Sequence, residues 1–149
     1  MNLSYIAKHF SALNITELYE LLKLRSDVFV VEQECVYADL DNKDQESFHI
    51  LYYADGELSA CTRLLPKGLS YDEVSIGRVA TSAKQRGTGL GRKLMEVSIA
   101  ACYENFGHSP IRISAQHYLL EFYQSLGFVA QGDVYDEDGI PHIEMLKSS

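Results

Sequence analysis

Apolar positions along the 149-residue chain alternate between a period of two and a helical period, and the switches divide it into elements. Tyr5–Phe10 reads as a first strand. Asn14 or Thr16 can cap a helix running through Leu18, Leu21, Leu22 and Arg25, with Glu17 and Glu20 near its positive end. Val28–Gln33 fits either a strand or a continuation of that helix, and the acidic ECVYADLDNKDQE that follows reads as a loop. His49–Ala54 and Leu58–Leu65 form two strands joined at Asp55-Gly56, a hairpin signal. In Glu73–Ala80, Val74, Ile76, Arg78 and Ala80 alternate with Ser75, Gly77 and Val79, and Gly77 marks a bulge or splay. Lys84–Gly91 opens a helix with Leu90, Leu94, Val97 and Ala101 on one face. Arg112–Ala115 is a short strand. In Tyr118–Leu126, Leu119, Phe122, Tyr123 and Leu126 recur at i, i+3, i+4 and i+7, and Gly127-Phe128 completes a C-terminal cap. Phe128–Tyr135 and His142–Leu146 close the chain as a hairpin around Asp138-Gly139. This order predicts a mixed α/β sheet.

No internal repeat or Pro/Ser linker interrupts the pattern, so residues 1–149 read as one domain. A chain of this size buries about 68–70% of its unfolded surface and needs no metal or disulfide to hold its core. No apolar run approaches the ~20 residues of a membrane span, and MNLSYIAKHF lacks the layout of a secretory signal. Cys35, Cys61 and Cys102 are odd in number and widely spaced, which fits neither a disulfide framework nor a zinc site and suits a reducing cytoplasm. The net charge of −8 argues against nucleic acid as a partner.

That charge is a sum over two opposed segments. Residues 32–46 carry six acids (Glu32, Glu34, Asp39, Asp41, Asp44, Glu46) against one base, Lys43. Residues 74–95 carry five bases (Arg78, Lys84, Arg86, Arg92, Lys93) and no acid. Within the basic segment, Arg86-Gly87-Thr88-Gly89-Leu90-Gly91-Arg92 follows a strand and opens a helix. Glycines let backbone N–H groups turn toward a ligand, and the helix start favours an anion, so phosphate capture is the implied chemistry. A Walker A loop is excluded because no glycine has the required spacing to Lys93, which is followed by Leu94. The dinucleotide fingerprint is excluded because its last glycine position, counted from Gly87, is Arg92.

Two motifs then carry a resemblance. R-x-x-G-x-G (Arg86, Gly89, Gly91) after a strand, with a later F-Y-x-x-x-G-F (Phe122, Tyr123, Gly127, Phe128), resembles the GNAT superfamily of acetyl-CoA-dependent N-acetyltransferases. The run Val28–Gln33, the Asp-rich loop after it and Y-D-E-D-G-I-P-H (Tyr135–His142) are similar to the ElaA-like subgroup. The resemblance implies a mixed, twisted sheet flanked by helices on both faces, with acetyl-CoA as co-substrate and no metal. It implies that pantetheine lies along Val79, Ala80 and Thr81, and that Arg86, Gly87, Thr88, Gly89, Leu90, Gly91 and Arg92 surround the pyrophosphate. Gln116 stands where family members often carry an Asn that contacts the pantetheine arm. Tyr123 matches the residue that protonates the leaving thiolate. Glu73 falls where some members carry a general base, with His49 on a neighbouring strand as its rival.

The acceptor is then an amine, small-molecule or peptide, and the acidic 32–46 loop, Glu32 included, is a candidate for attracting it. A homodimer is compatible with the resemblance; nucleic acid and membrane are not expected partners. Each feature has a plainer reading: a Gly-rich helix start, a packed core tyrosine at 123, a solvated strand-start carboxylate at 73, a buried strand histidine at 49, a solvated acidic surface. A CoA-binding regulatory module without catalysis is the principal alternative. A structural protein that recruits a basic partner through its acidic loop is another.

Overall fold

Residues 2–149, the part of the chain that this computed structural model describes, build a seven-stranded sheet in the order β1-β2-β3-β4-β5-β7-β6. The strands are β1 (Leu3–His9), β2 (Phe48–Ala54), β3 (Glu57–Leu65), β4 (Val74–Thr81), β5 (Ile111–Gln116), β6 (Val129–Glu137) and β7 (Ile140–Lys147). All neighbours are antiparallel except β4 and β5, which run parallel and are joined by helix α2 (Leu90–Phe106) as a crossover. Helix α1 (Ile15–Arg25) follows β1, and the short α3 (Leu120–Gln124) follows β5.

Local chemistry accounts for the elements. Asn14 Oδ1 accepts from the Glu17 N–H at 2.7 Å while Glu17 Oε1 accepts from the Asn14 N–H at 2.9 Å, a reciprocal cap that starts α1. The undecided Val28–Gln33 segment proves helical: α1 runs directly into a π-helical stretch, Ser26–Glu32. Both Asp-Gly pairs lie in tight hairpin turns with positive φ at each central residue, 51° and 81° at Asp55-Gly56 and 52° and 81° at Asp138-Gly139.

Two cores lie on opposite faces of the sheet. Leu90, Leu94, Met95 and Cys102 of α2, with Tyr123 and Phe128, pack on Ile50, Leu64, Ile76, Ile113 and Met145. Leu21, Leu24 and Val28 pack on Leu51, Leu58, Cys61 and Ala80. The second face is covered by α1 and its π-helical extension over β2, β3 and β4.

The acidic loop corrects an expectation. Its aspartates are neither a solvated surface nor free to attract a cation, because three arginines from the sheet and α1 reach them. Arg25, 1% exposed, bonds Asp44 at 2.8 Å and Asp39 at 3.0 Å. Arg63, 4% exposed, bonds Asp41 at 2.8 Å and Asp44 at 3.0 Å. Arg78 bonds Asp39 at 2.8 Å and Asp41 at 3.3 Å and stacks over the Tyr37 ring at 5.6 Å. His49 is fully buried beside them, its Nε2 3.0 Å from the Asp44 carbonyl. Burial alone raises the pKa of Asp41, but the Arg63 guanidinium outweighs it and holds the carboxyl at about 2. Asp44 is lowered likewise, with Arg25 and Arg63 overcoming its burial. For His49 burial dominates and pushes its pKa down.

Removing a partner from this cluster strands buried charge. Asp44→Ala is expected to destabilise the fold by about 3–5 kcal/mol, the usual cost of leaving a buried charge uncompensated. Lys23→Ala, which breaks the exposed 3.0 Å pair with Asp27, is expected to leave stability unchanged. Urea unfolding compares the two, and equal effects would show that the cluster does not hold the loop. Acid acts in the same sense. His49 takes up its proton more readily in the unfolded chain than in the fold, so its contribution to stability falls from about pH 6.5 downward. The stabilisation from Asp41 and Asp44 is present above the ordinary carboxylate range and lost as pH falls through it toward 2.

Candidate active site

β4 and β5 share two registered pairs, Val74↔Ile111 and Ser75↔Arg112, and then part. The gap opens into a cavity of about 630 Å³ walled by both strands, the π-helical stretch, α2, α3 and the β6–β7 turn. A bulge shapes the β4 wall. Arg63 pairs with Gly77 and Cys61 with Ala80, so Arg78 and Val79 together face Thr62. Arg78 takes φ 46°, an uncommon value for a side-chain-bearing residue, and its ion pairs to Asp39 and Asp41 hold it there.

The bulge falls one residue beyond Gly77 and corrects the alternation expected for this strand. Val74 and Ile76 face α2, but Val79 takes over that face while Ala80 turns to the α1 side. One inserted residue exchanges the faces of everything after it. Val79 therefore lines the cavity and has no registered partner on either neighbouring strand.

The glycine loop follows. Gly87 and Gly89 sit at φ 79° and 85°, where a side chain is strained, and a Cβ at either would meet no protein atom within 4 Å. Gly89 caps α2 with no side-chain bond, which leaves the first-turn N–H groups of the helix without a capping acceptor. Arg86 donates to the Thr81 carbonyl at 2.9 Å and pairs with Glu32 from the π-helical stretch. Arg92 donates to Ser125 Oγ at 2.9 Å. Gln85, in the lining, keeps a buried Oε1 with no partner. An anion on basic side chains and free N–H groups, and an amide-bearing chain between parted strands, both fit these walls.

Among the residues expected to meet the cofactor, Val79, Thr81, Arg86, Gly87, Gly91 and Gln116 line the cavity. Ala80 turns away, Leu90 is buried in the α2 core, and Thr88 Oγ1 braces the loop by donating to the Gln85 carbonyl at 2.6 Å. Glu32 lines the cavity but is held by Arg86 beside the glycine loop.

Tyr123 is 6% exposed and lies in the same lining, edge-on to Phe122 and Phe128 at 5.1 and 5.9 Å. Burial, with a smaller contribution from Tyr118, pushes its pKa up to about 12, so the hydroxyl keeps its proton at neutral pH.

Neither base candidate reaches the cavity. Glu73 stands just before β4 and is gripped by Arg112 through two bonds of 2.9 and 3.1 Å, which lower its pKa and make it a weaker base. His49 is committed to the arginine–aspartate cluster. Sequence reasoning passed over a group that does reach it: Ser114, Glu137 and His142, with Tyr135 bonded to Ser114 Oγ. The signal was present in β5, where polar Arg112, Ser114 and Gln116 alternate with buried Ile111, Ile113 and Ala115. Among the described residues no group of three or more His, Cys, Asp or Glu side chains is placed to hold a metal ion. Nor is any helix long and apolar enough to cross a membrane.

Comparison with known proteins agrees with this geometry. Protein ElaA of Escherichia coli K12 is 43% identical over 141 residues, covering 93% of this chain and 92% of its own. The crystal structure of Escherichia coli ElaA superposes with a TM-score of 0.92 at 40% identity, over 99% of this chain and 100% of the other. An acyl-CoA N-acyltransferase from Pseudomonas aeruginosa superposes with a TM-score of 0.94 at 42% identity, over 99% and 100%. Residues 13–149 match the family described as the acetyltransferase (GNAT) domain. With its parted parallel strands, glycine loop and matched length, the chain belongs to the GNAT acetyltransferase family.

Proposed function

We propose that the protein transfers an acetyl group from acetyl-CoA to a primary amine by direct attack within a ternary complex. The observation that carries the reading is the cleft itself, in which Tyr123, an unpaired stretch of β4 and the glycine loop line one cavity. The loop N–H groups and Arg86 suit a pyrophosphate, which must displace Glu32 from that guanidinium. Gln85 Oε1 and Gln116 suit the amides of pantetheine.

The Val79 N–H, outside the ladder, is the donor for charge developing on the acyl oxygen. Tyr123 is the acid. Its hydroxyl is protonated across the working pH range and donates to the departing sulfur. The three free cysteines suit a reducing compartment, and the reading places the enzyme in the cytoplasm.

Gly91 offers a clean test of the cofactor position. It lies in the first turn of α2 on the cavity lining, and a Cβ there meets the protein no nearer than Thr81 Oγ1 at 4.0 Å. Gly91→Val is expected to abolish acetyl-CoA binding in calorimetry while leaving the thermal midpoint intact or raised, since a helical glycine costs stability. Retained binding would move the cofactor elsewhere.

Tyr123→Phe removes the proton donor and keeps the packed ring. It is expected to lower kcat roughly 10²–10⁴-fold with acetyl-CoA affinity unchanged, read as thiol release over a panel of primary amines. An unaltered kcat would leave Tyr123 a packing residue. Acetyl-CoA binding with no thiol release from any amine would make the protein a CoA-binding module.

A further inference from the structure

The α1 side of the sheet is covered over β2, β3 and β4 but, among the described residues, carries no helix over β5, β7 and β6. Strand alternation decides what stands there. Ile111, Ile113, Ala115, Ile143 and Met145 face α2, so their neighbours in sequence face the uncovered side. Register brings Ser114 opposite Glu144, Gln116 opposite His142, and Tyr135 opposite His142. The result is a polar patch continuous with the cavity, which Ser114, Glu137 and His142 line.

The contacts of His142 set the roles of its two ring nitrogens. Nδ1 lies 2.7 Å from the Ile140 carbonyl oxygen, which can only accept, so Nδ1 carries the ring proton. Nε2 lies 3.4 Å from Glu137 Oε2; in the neutral ring it keeps its lone pair, and in the imidazolium it donates to that carboxylate. In the neutral ring, Nε2 and Glu137 Oε2 are two acceptors that one donor can bridge. An ammonium group suits that place, since it donates to both and its charge complements Glu137. The ring is also fixed in place: it is buried and Tyr135 lies across it with centroids 6.2 Å apart. Tyr135 is itself anchored through its hydroxyl to Ser114.

We propose that Glu137 and His142 form the acceptor site, binding the ammonium of an aliphatic primary amine, with His142 Nε2 as the general base. This rests on the acetyl-CoA reading of the cavity. The ammonium gives one proton to Nε2, and the imidazolium so formed stays paired with Glu137. The freed nitrogen lone pair forms a C–N bond to the thioester carbonyl carbon, and collapse of the adduct breaks the C–S bond. Sulfur leaves with its electron pair and is protonated with Tyr123 as donor, the second N–H proton restoring the tyrosine. The imidazolium proton passes to solvent. Ammonium and acyl thioester thus become amide, thiol and one released proton.

The ionisable groups about His142 are Tyr135 and Glu137 from β6, Asp138 from the turn, Glu144 on its own strand with Arg112 bonded to it at 3.0 Å, and Tyr71 before β4. Glu144 being occupied by Arg112, Glu137 is the carboxylate within reach of Nε2.

The test uses the CoA-saturated protein, with n-butylamine and 1,4-diaminobutane as probes. Nitrogen-15 NMR of the imidazoles at pH 8 is expected to show His142 protonated at Nδ1 and bare at Nε2. Either amine is expected to shift the His142 signals in the wild type and not in Glu137→Gln. A proton on Nε2, or His142 signals unmoved at saturating amine, overturns the proposal. In turnover, His142→Gln is expected to lower kcat roughly 10²–10⁴-fold and remove the acid limb of the pH–rate profile. Glu137→Gln is expected to raise the amine KM while the acetyl-CoA KM stays unchanged. Normal amine turnover in both variants overturns the site while leaving the cofactor reading intact. Failure of wild-type protein to bind acetyl-CoA overturns that reading instead.

Discussion

The cluster of Arg25, Arg63 and Arg78 with Asp39, Asp41 and Asp44 is the constraint on which the cleft depends. It ties α1, β3 and β4 to one long irregular loop, and its two most buried members could not be held charged without their partners. Arg78 belongs at once to this cluster and to the bulge of β4. The ion pairs that fix the loop therefore also hold the backbone in the conformation that releases Val79 from the ladder. Apolar packing on both faces makes the sheet; this polar cluster sets how β4 leaves it.

Topology supplies the remainder of the cavity. A parallel pair needs a crossover, and the crossover delivers the α2 N-terminus to the end of β4 where the strands part. β5 keeps its antiparallel pairing to β7 along its whole length while losing β4 after two residues. The strands thus open on one side of β5 and not the other, and the cavity is the space that results.

Much of this was legible in the chain. The strand and helix order followed from periodicity, and the two Asp-Gly turns from the conformations those residues accept. The glycine loop that opens α2 beside the cavity was readable because glycine spacing, basic side chains and a helix start coincide between Arg86 and Arg92. The exchange of faces at Arg78 was not readable. A bulge conserves local alternation on either side of itself, and its cause, the pairing of Arg78 with Asp39 and Asp41, spans nearly forty positions. The same long range hid the fate of the acidic loop and of His49, whose local sequence is silent on Arg25 and Arg63. Glu73 was placed by motif spacing, whereas Arg112, on the next strand, determines what its carboxylate does. Helix placement, too, is a tertiary fact, and without it the alternation of Arg112, Ser114 and Gln116 does not say which face stays open.

Charge must accordingly be counted by what is already neutralised. Three arginines and three aspartates cancel within the cluster, and Arg86 cancels Glu32, so the net −8 falls on the remainder of the chain. The π-helical stretch lends a carboxylate to the glycine loop, so any anion that binds there meets Arg86 already paired and must exceed a single carboxylate in charge and in acceptor number. A pyrophosphate does so, and an isolated carboxylate ligand does not. At the other wall the two carboxylates also differ, Glu144 being committed to Arg112 and Glu137 facing the His142 ring. The polarity first read as a contrast between two sequence segments is therefore better located across the cavity. On the proposed reading its anion end is screened by Glu32 until a stronger anion arrives, and its cation end presents Glu137, which no arginine pairs with among the described residues.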